Sequence, residues 1–227
     1  MMELLKLGAQ FEQFLYLRPK CYEKTAHNLY RSVGVFDVDK FGIDPLEITY
    51  VNPKNITRVT GREWKPWSGR IQKVGKVLTG DWDKTVPTDL PNGVEYPKRF
   101  EQHEIHEAFV SHFDEEVSWG ETKRYREKIA KAESESEIGN IRRSLKTYDH
   151  LYNNIKEKGY KSQAQLCDRS DAFIDTRLGE ILVDIGRDGE ILFVDGRHRL
   201  SIAKILGLDR IPVFVLVRHK QWCMNNS

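Results

Sequence analysis

A run of charged residues around one glycine, Asp195 to Arg199, has the residue types best suited to ligand chemistry in this sequence. It joins an apolar segment to a helical pattern, and the free N–H groups and dipole of a helix start favour an anion. Gly196 has no Cβ and lets a ligand approach the backbone closely. Arg197, His198 and Arg199 add donors, and an arginine fork grips phosphate with two bonds. Asp195 would hold Mg²⁺ beside phosphates, accept a proton or cap the helix.

Three apolar runs of strand length would position this stretch. They are Ile181–Ile185, Ile191–Val194 and Ile211–Val217. A helix is predicted from about 200 to 206, and Gly207 would end it. The Asp188-Gly189 pair between the first two runs predicts a hairpin with a type I′ turn, in which both central residues need φ > 0.

The segment from Glu180 to Val217 resembles the nucleotide-binding core of the ParB/sulfiredoxin superfamily. That family has a hairpin, a Gly-x-His/Arg-Arg box at a helix start, a helix of small residues and a closing strand. Here the box reads Asp195-Gly196-Arg197-His198-Arg199-Leu200, and Ala203 follows in the helix. The form Asp-Gly-His-His-Arg, found in ParB-like kinases that phosphorylate free serine, is similar to it. The resemblance covers about residues 140–217.

The resemblance implies binding of a nucleotide (ATP, ADP or CTP) with Mg²⁺ at the box. It also implies phosphoryl transfer to a small hydroxyl compound, or nucleotide hydrolysis. Sulfiredoxin has a cysteine after the glycine, where this chain has Arg197, so its thiol chemistry is not expected. Partition ParB proteins continue into a helix-turn-helix domain, whereas ten residues follow Val217 here. A DNA-associated protein or nuclease, and a nucleotide-binding module without turnover, remain as alternatives.

Several residues receive roles from this reading. Asp195, His198 and Glu180 are the predicted catalytic residues, Glu180 because a glutamate acts as the base in the related kinases. Arg177 joins the residues from Gly196 to Arg199 as a further phosphate donor. The competing interpretation is structural: Arg197 and Arg199 would then form ion pairs, and Asp195 would only cap the helix.

Two further groups of residues contain side chains of the types that bind metal ions. Asp81 and Asp83 flank Trp82 after a predicted strand and would point to the same side of an extended segment, as a metal-binding pair does. The alternative is a surface turn with the Trp82 ring in the core. His103, His106 and His112 lack the His-Glu-x-x-His spacing of a zinc protease. A solvated polar helix face is the better interpretation of these histidines.

Composition bounds the class of protein. The 227 residues are 39% hydrophobic and 31% charged, with a net charge of +2, which fits a globular chain and does not favour DNA binding. No apolar run reaches the roughly 18 residues of a membrane span, and the first residues do not resemble a secretory signal. Three widely spaced cysteines indicate reduced thiols and a cytoplasmic protein.

The predicted fold class is mixed α/β, a small sheet elaborated by N-terminal and central helices. Residues 1–35 would form a helical hairpin, and 36–217 a single domain with a helical insertion at about 97–140. Residues 218–227 would be a tail. Strands are predicted at 47–51 and 71–78, and helices at 97–113, from Ser118 to about 132, and at 140–158. The resemblance implies a strand before the core, at about 48–56.

Overall fold

The computed structural model describes residues 27–28, 30–32, 34–63, 65–86, 98–167 and 173–227. The predicted N-terminal helical hairpin lies largely outside these residues. Within them, no helix combines the length and the apolar character needed to cross a bilayer.

A mixed sheet forms the centre of the described chain and confirms the predicted α/β class. Its strands are β1 Ile48–Val51, β2 Arg58–Val59, β3 Lys76–Leu78, β4 Ile181–Ile185, β5 Ile191–Asp195 and β6 Ile211–His219. The order is β1-β6-β4-β5-β2, and β3 extends the sheet beside the end of β6. The pairs β1/β6 and β4/β5 are antiparallel, whereas β4/β6, β2/β5 and β3/β6 are parallel. Every residue of β6 is buried, as expected of a strand with neighbours on both sides.

Helices cover both faces of this sheet. They are α1 Arg70–Lys73, α2 Glu104–Phe113, α3 Lys123–Ala130, α4 Glu135–Lys158, α5 Gln163–Leu166, α6 Phe173–Leu178, α7 Arg197–Ile205 and α8 Lys220–Asn225. Short 3₁₀ turns lie at Asp37–Phe41, Pro53–Asn55, Phe100–Gln102 and Trp119–Glu121.

The alternation of side chains along the strands divides the core between two faces. On one face, Leu182 and Phe214 pack with Phe173 and Leu178 of α6. On the other face, the core contains Ile181, Val183, Val213 and Val215 from the strands and Leu200 and Ala203 from α7. A third cluster, built on Phe109, Trp119 and Ile141, reaches α7 through Ile202. The helices α2, α3 and α4 therefore form a second layer over α7 and fix the position of its start.

The hairpin between β4 and β5 forms at the predicted place with a different turn. Gly189 N–H donates to the carbonyl of Gly186 at 3.1 Å, and Gly189 has φ 82°. Among the described non-glycine residues, only Glu116 has a positive φ, so Asp188 does not adopt the type I′ conformation. A single left-handed residue after an ordinary turn is the pattern of a hairpin with a glycine bulge.

The predicted strand at 71–78 is wrong over its first half. Residues 70–73 form α1, and β3 begins only at Lys76. Gly75 between them has φ 69°, and a Cβ on it would lie 2.8 Å from Pro45 Cβ. A left-handed residue against a neighbouring segment ends the helix and redirects the chain onto the edge of β6.

Other boundaries shift for local reasons. The strand predicted at 47–51 forms as β1, whereas the longer strand at 48–56 that the resemblance implies ends at Val51, because Asn52 caps a 3₁₀ turn by accepting from Lys54 N–H. The helix predicted at 140–158 begins five residues earlier, where the Ser134 side chain accepts from Glu137 N–H. Residues 218–227, predicted as a tail, complete β6 and form α8, which buries Cys223.

Candidate functional site

The turn between β5 and α7 has the backbone geometry that the sequence predicts for an anion site. Gly196 has φ 94° and precedes the first residue of α7, and no described side chain caps that helix start. A Cβ on Gly196 would lie 3.0 Å from the Cα of Ile181, so glycine is required both by the conformation and by the packing. The Asp195 carboxylate turns back and accepts from Gly196 N–H at 2.8 Å. The N–H groups at the start of α7 therefore have no competing side-chain acceptor.

Arg197 and Arg199 have different surroundings. Arg199 donates to the carbonyl of Gly179 and, at 3.4 Å, to the hydroxyl of Tyr160, and it lies 3.5 Å from Glu180 Oε2. It thus anchors the start of α7 to the start of β4. Arg197 is partly exposed and makes no hydrogen bond or ion pair with any described residue. The predicted structural interpretation, in which both arginines form ion pairs, fits only Arg199.

The His198 ring lies in an aromatic setting beside Arg197. It stacks on Tyr148 with the ring centroids 4.5 Å apart, and its buried Nε2 has no hydrogen-bond partner among the described residues. Burial, together with the charges of Arg197, Arg124 and Arg199, lowers the pKa of His198 to about 4. His198 is therefore neutral at pH 7 and offers a hydrogen bond rather than the positive charge expected from the sequence.

A second helix start lies against this one. His103 caps α2, accepting from Ile105 N–H at 3.3 Å, and its side chain is buried. Burial and the charges of Arg197 and Arg124 lower the pKa of His103 to about 4 as well. Arg124, on α3, pairs with the exposed Glu104. We call Arg197, His198, His103 and Arg124 the helix-start region; burial, with a smaller contribution from the two arginine charges, disfavours protonation of both histidines.

The sequence did not single out Arg124, and it gave His103 a different role. The predicted solvated histidine face on α2 is wrong, since His103 and His106 are buried and His112 is half-buried. His106 packs on Phe100, and His112 contacts the carbonyl of Val117 at 2.7 Å. The sequence contained one indication of the role of His103: it is a polar residue directly before an apolar helical pattern, which is a typical N-cap position.

Glu180 lies 3.5 Å from Arg199 of the first turn of α7, and Arg177 lies with Glu180 beside β1. Arg177 is buried, donates to the carbonyl of Leu46 at 2.8 Å, and stacks over the Phe173 ring. Glu180 is 2% exposed, and its Oε1 accepts from Gln163 N–H at 2.6 Å. Burial raises the pKa of Glu180. Both side chains line a cavity of about 280 Å³ beside β1.

Asp81 and Asp83 form a clamp on the hairpin. The guanidinium of Arg187 bonds both carboxylates at 2.6 Å, and Arg187 N–H also donates to Asp83 at 2.8 Å. Burial alone would raise the pKa of Asp83, but these bonds from Arg187 lower it to about 2. The clamp lies at the opposite end of β5 from Asp195, about 16 Å away for five strand residues. These two carboxylates are therefore engaged with an arginine and lie apart from the helix-start region.

Asp195 is the carboxylate best placed for a metal ion near the helix start. Its side chain is 41% exposed, with Oδ2 3.7 Å from Arg70 Nη1. The described residues contain no group of three His, Cys, Asp or Glu side chains arranged for a metal. Mg²⁺ commonly takes one or two carboxylates and completes its shell with phosphates and water. The partly exposed Asp195 carboxylate beside the start of α7 fits that requirement, and the Asp81–Asp83 pair, which Arg187 engages, fits it less well.

A buried ion pair under the sheet is a feature that the sequence reading missed. Asp184 is fully buried and accepts from Arg62 Nε at 2.6 Å, from the Thr60 hydroxyl at 2.7 Å and from Val217 N–H at 3.1 Å. A lone aspartate inside the apolar run Ile181–Ile185 was the available signal, because a buried carboxylate needs a partner. These contacts join β4 and β6 to the segment after β2.

No protein-family model, no curated protein and no solved structure matches this chain. The resemblance to the ParB/sulfiredoxin superfamily therefore rests on the sequence motif alone.

Proposed function

We propose that the chain is a nucleotide-binding protein of ParB/sulfiredoxin type that binds phosphate at the start of α7. With Mg²⁺, it transfers a phosphoryl group from the nucleotide to a small hydroxyl compound or to water. The observation that carries the proposal is Arg197: a partly exposed guanidinium without a hydrogen-bond or ion-pair partner among the described residues, beside a helix start that no described side chain caps. An anion is the partner that this arrangement lacks.

The roles follow from position. The N–H groups of the first turn of α7 and the Arg197 guanidinium bind the phosphate oxygens. Arg124 adds positive charge from α3, and the neutral His198 ring supplies a hydrogen bond. Asp195 would hold a Mg²⁺ ion, which would supply positive charge to neutralise phosphate, or would accept the proton of the attacking hydroxyl. Arg199 acts indirectly, by fixing the helix start against Gly179.

The test is a thermal-shift and calorimetric titration with ATP, ADP, CTP and GTP, each with and without Mg²⁺. A ligand at one hundred times its Kd stabilises the folded state by about 2.7 kcal/mol, which both methods resolve. Arg197→Gln keeps the length of the side chain and removes its charge. We expect it to weaken nucleotide binding at least about tenfold, the value of one lost charged hydrogen bond.

Arg142→Gln is the matched control, because Arg142 is exposed on α4 and loses the same charge. The control should bind nucleotide as the unaltered protein does. Absence of stabilisation by all four nucleotides, or equal affinity in Arg197→Gln, would contradict the proposal. Phosphate release, or transfer of label to an acceptor, then separates an enzyme from a binding module without turnover.

A further inference from the structure

The Arg70 guanidinium lies beside the start of α7, although Arg70 is the first residue of α1 and far from α7 in the chain. Its Nη1 is 3.7 Å from Oδ2 of Asp195, the last residue of β5. The other carboxylate oxygen, Oδ1, accepts from Gly196 N–H at 2.8 Å, and Gly196 directly precedes α7. The fold therefore brings a third arginine, besides Arg197 and Arg199, to this helix start.

Most of the N–H donors of Arg70 are unused. Among the described residues it makes one hydrogen bond, from Nη1 to the carbonyl of Leu178 at 3.3 Å. The separation of 3.7 Å from Asp195 is an ion-pair distance and is too long for a hydrogen bond. A guanidinium carries five N–H donors, and this side chain is 47% exposed. Arg70 therefore has several donors left that a ligand from solvent can reach.

The bond to Leu178 fixes where these donors lie. Leu178 is the last residue of α6, and the carbonyl of the next residue, Gly179, accepts from Arg199. Consecutive carbonyls at the end of α6 thus bind one arginine from α1 and one from α7, because a helix leaves its last carbonyls without partners of its own. Both arginines are held at the same helix start, and Arg70 is the more exposed of the two.

The pair between Arg70 and Asp195 is looser than the pairs at the hairpin end. Its side chains are 47% and 41% exposed, and exposed ion pairs contribute little to stability. At the hairpin end, by contrast, Arg187 bonds Asp83 at 2.6 Å, and Asp83 is 2% exposed. Arg70 and Asp195 can therefore separate at little cost when each gains a better partner.

A nucleotide with Mg²⁺ offers both of these partners together. An exposed carboxylate suits Mg²⁺, which completes its shell with phosphate oxygens and water. A guanidinium suits phosphate, which accepts two bonds from it. Phosphate alone would be repelled by Asp195, and a metal ion alone would be repelled by Arg70. The two ligands together leave neither side chain without an opposite charge.

We infer that Arg70 is a further phosphate-binding residue of the site at the start of α7. It pairs with Asp195 in the ligand-free chain and turns to a phosphate oxygen when Asp195 takes Mg²⁺. The inference rests on the proposed function, because it requires nucleotide and Mg²⁺ to bind beside Asp195. One consequence is particular to this exchange of partners: Arg70 strengthens the binding of nucleotide with Mg²⁺ and weakens the binding of a metal ion alone.

The test measures two affinities of the full chain. Calorimetry gives the affinity for ATP, ADP, CTP and GTP, each with Mg²⁺, and water-proton relaxation gives the affinity for Mn²⁺ alone, which takes the same oxygen ligands as Mg²⁺. We expect Arg70→Gln to weaken nucleotide binding about tenfold, the value of one charged hydrogen bond. The same variant should bind Mn²⁺ about threefold more tightly, since an exposed ion pair no longer engages Asp195. A residue that only supports the fold would not change the two affinities in opposite directions.

Arg58→Gln is the matched control, because it removes a guanidinium that pairs with Glu190 beside the other end of β5. Both affinities should remain unaltered in it. Arg70→Lys keeps the positive charge but loses the two-pronged donor, so it should bind nucleotide less tightly than the unaltered protein does and bind Mn²⁺ equally. This variant decides the test by its nucleotide affinity if Arg70→Gln does not fold.

Equal nucleotide affinity in the unaltered protein and in Arg70→Gln overturns the inference and leaves the proposed function intact. A Mn²⁺ affinity that does not rise in Arg70→Gln overturns it as well. If none of the four nucleotides binds the unaltered protein, the proposed function fails and the inference fails with it.

Discussion

The two ends of the β4–β5 strand pair have similar sequences and opposite electrostatics. The hairpin end reads Gly-Arg-Asp-Gly and the helix end reads Asp-Gly-Arg-His-Arg. At the hairpin end, Arg187 is bonded to Asp81 and Asp83, and Lys84 pairs with Asp188. At the helix end, Arg197 has no described partner, and two neighbouring histidines are held neutral.

This difference shows how to distinguish an arginine that stabilises the fold from an arginine that is available to bind a ligand. An arginine whose donors are all engaged within the chain stabilises the fold and has little left to offer a substrate. An arginine that stands free beside other positive groups raises the local potential and destabilises the fold slightly unless an anion binds. The comparison predicts that substitutions at the hairpin end change stability, and that substitutions at the helix end change binding.

The largest expected effect is at the buried pair near the hairpin end. Asp184→Asn removes the charge that faces Arg62 and leaves a buried guanidinium without its counter-ion. We expect a loss of about 3 to 5 kcal/mol in the free energy of unfolding, as for other buried pairs that lose one partner. Urea denaturation followed by circular dichroism measures it. A loss below about 1 kcal/mol, the size of an exposed pair, would mean that the hairpin end is not stabilised in this way.

An intermediate effect should separate the two arginines at the helix end. Arg199→Ala removes the bonds to Gly179 and Tyr160 and leaves Glu180 with less compensation, so we expect a loss of about 1 to 3 kcal/mol. Arg197→Ala removes no hydrogen bond or ion pair within the described chain and should change stability by less than about 0.5 kcal/mol. The same denaturation experiment compares the two variants. Equal losses in the free energy of unfolding would mean that Arg199 does not anchor the helix start more than Arg197 does.

The smallest effect concerns pH. Because the folded-state pKa of His198 is about 4, below its unfolded value of 6.5, the unfolded chain binds more protons between these values. Its contribution to stability is complete above pH 6.5 and is lost as the pH falls towards 4. We expect about 0.7 kcal/mol of the loss between pH 7 and pH 6 to disappear in His198→Phe, which keeps an aromatic ring beside Tyr148.

Phosphate supplies the control for that experiment. A bound anion would favour the protonated ring and raise the pKa of His198, which nuclear magnetic resonance of the imidazole reports directly. Titration of the ring in high phosphate and in chloride of equal ionic strength should therefore differ. Identical curves would indicate that no anion occupies the helix-start region.

Local patterns explain which parts of the fold were predictable. The three strands of the C-terminal segment, the hairpin and α7 follow from short apolar runs and their glycines, and each was found within two or three residues. The segment around β3 could not be predicted in this way, because its short strand forms by pairing with the end of β6, about 140 residues later. Gly75 decided that boundary through its contact with Pro45, which no local pattern contains.

The candidate site divides in the same way. The glycine turn and helix start at Gly196 could be read from consecutive residues. The opposite roles of Arg197 and Arg199 could not, since they depend on Gly179, Tyr160 and Arg124, which lie at least 18 residues away in the chain. Glu180 was named from the sequence, but its placement in the cavity beside β1 required the fold.

Gly196 has a consequence for reading mutational scans of this protein. Every side chain at this position meets both a left-handed backbone and the Cα of Ile181, so all substitutions will be depleted whatever property is selected. Its neighbour Arg197 makes no hydrogen bond or ion pair with the described residues, so it will tolerate exchange under selection for abundance and lose that tolerance only under selection for activity. The ligand site is therefore revealed by positions whose tolerance to substitution differs between selection for abundance and selection for activity. Gly196, the least tolerant residue of the motif, is intolerant under both selections and so says least about the ligand.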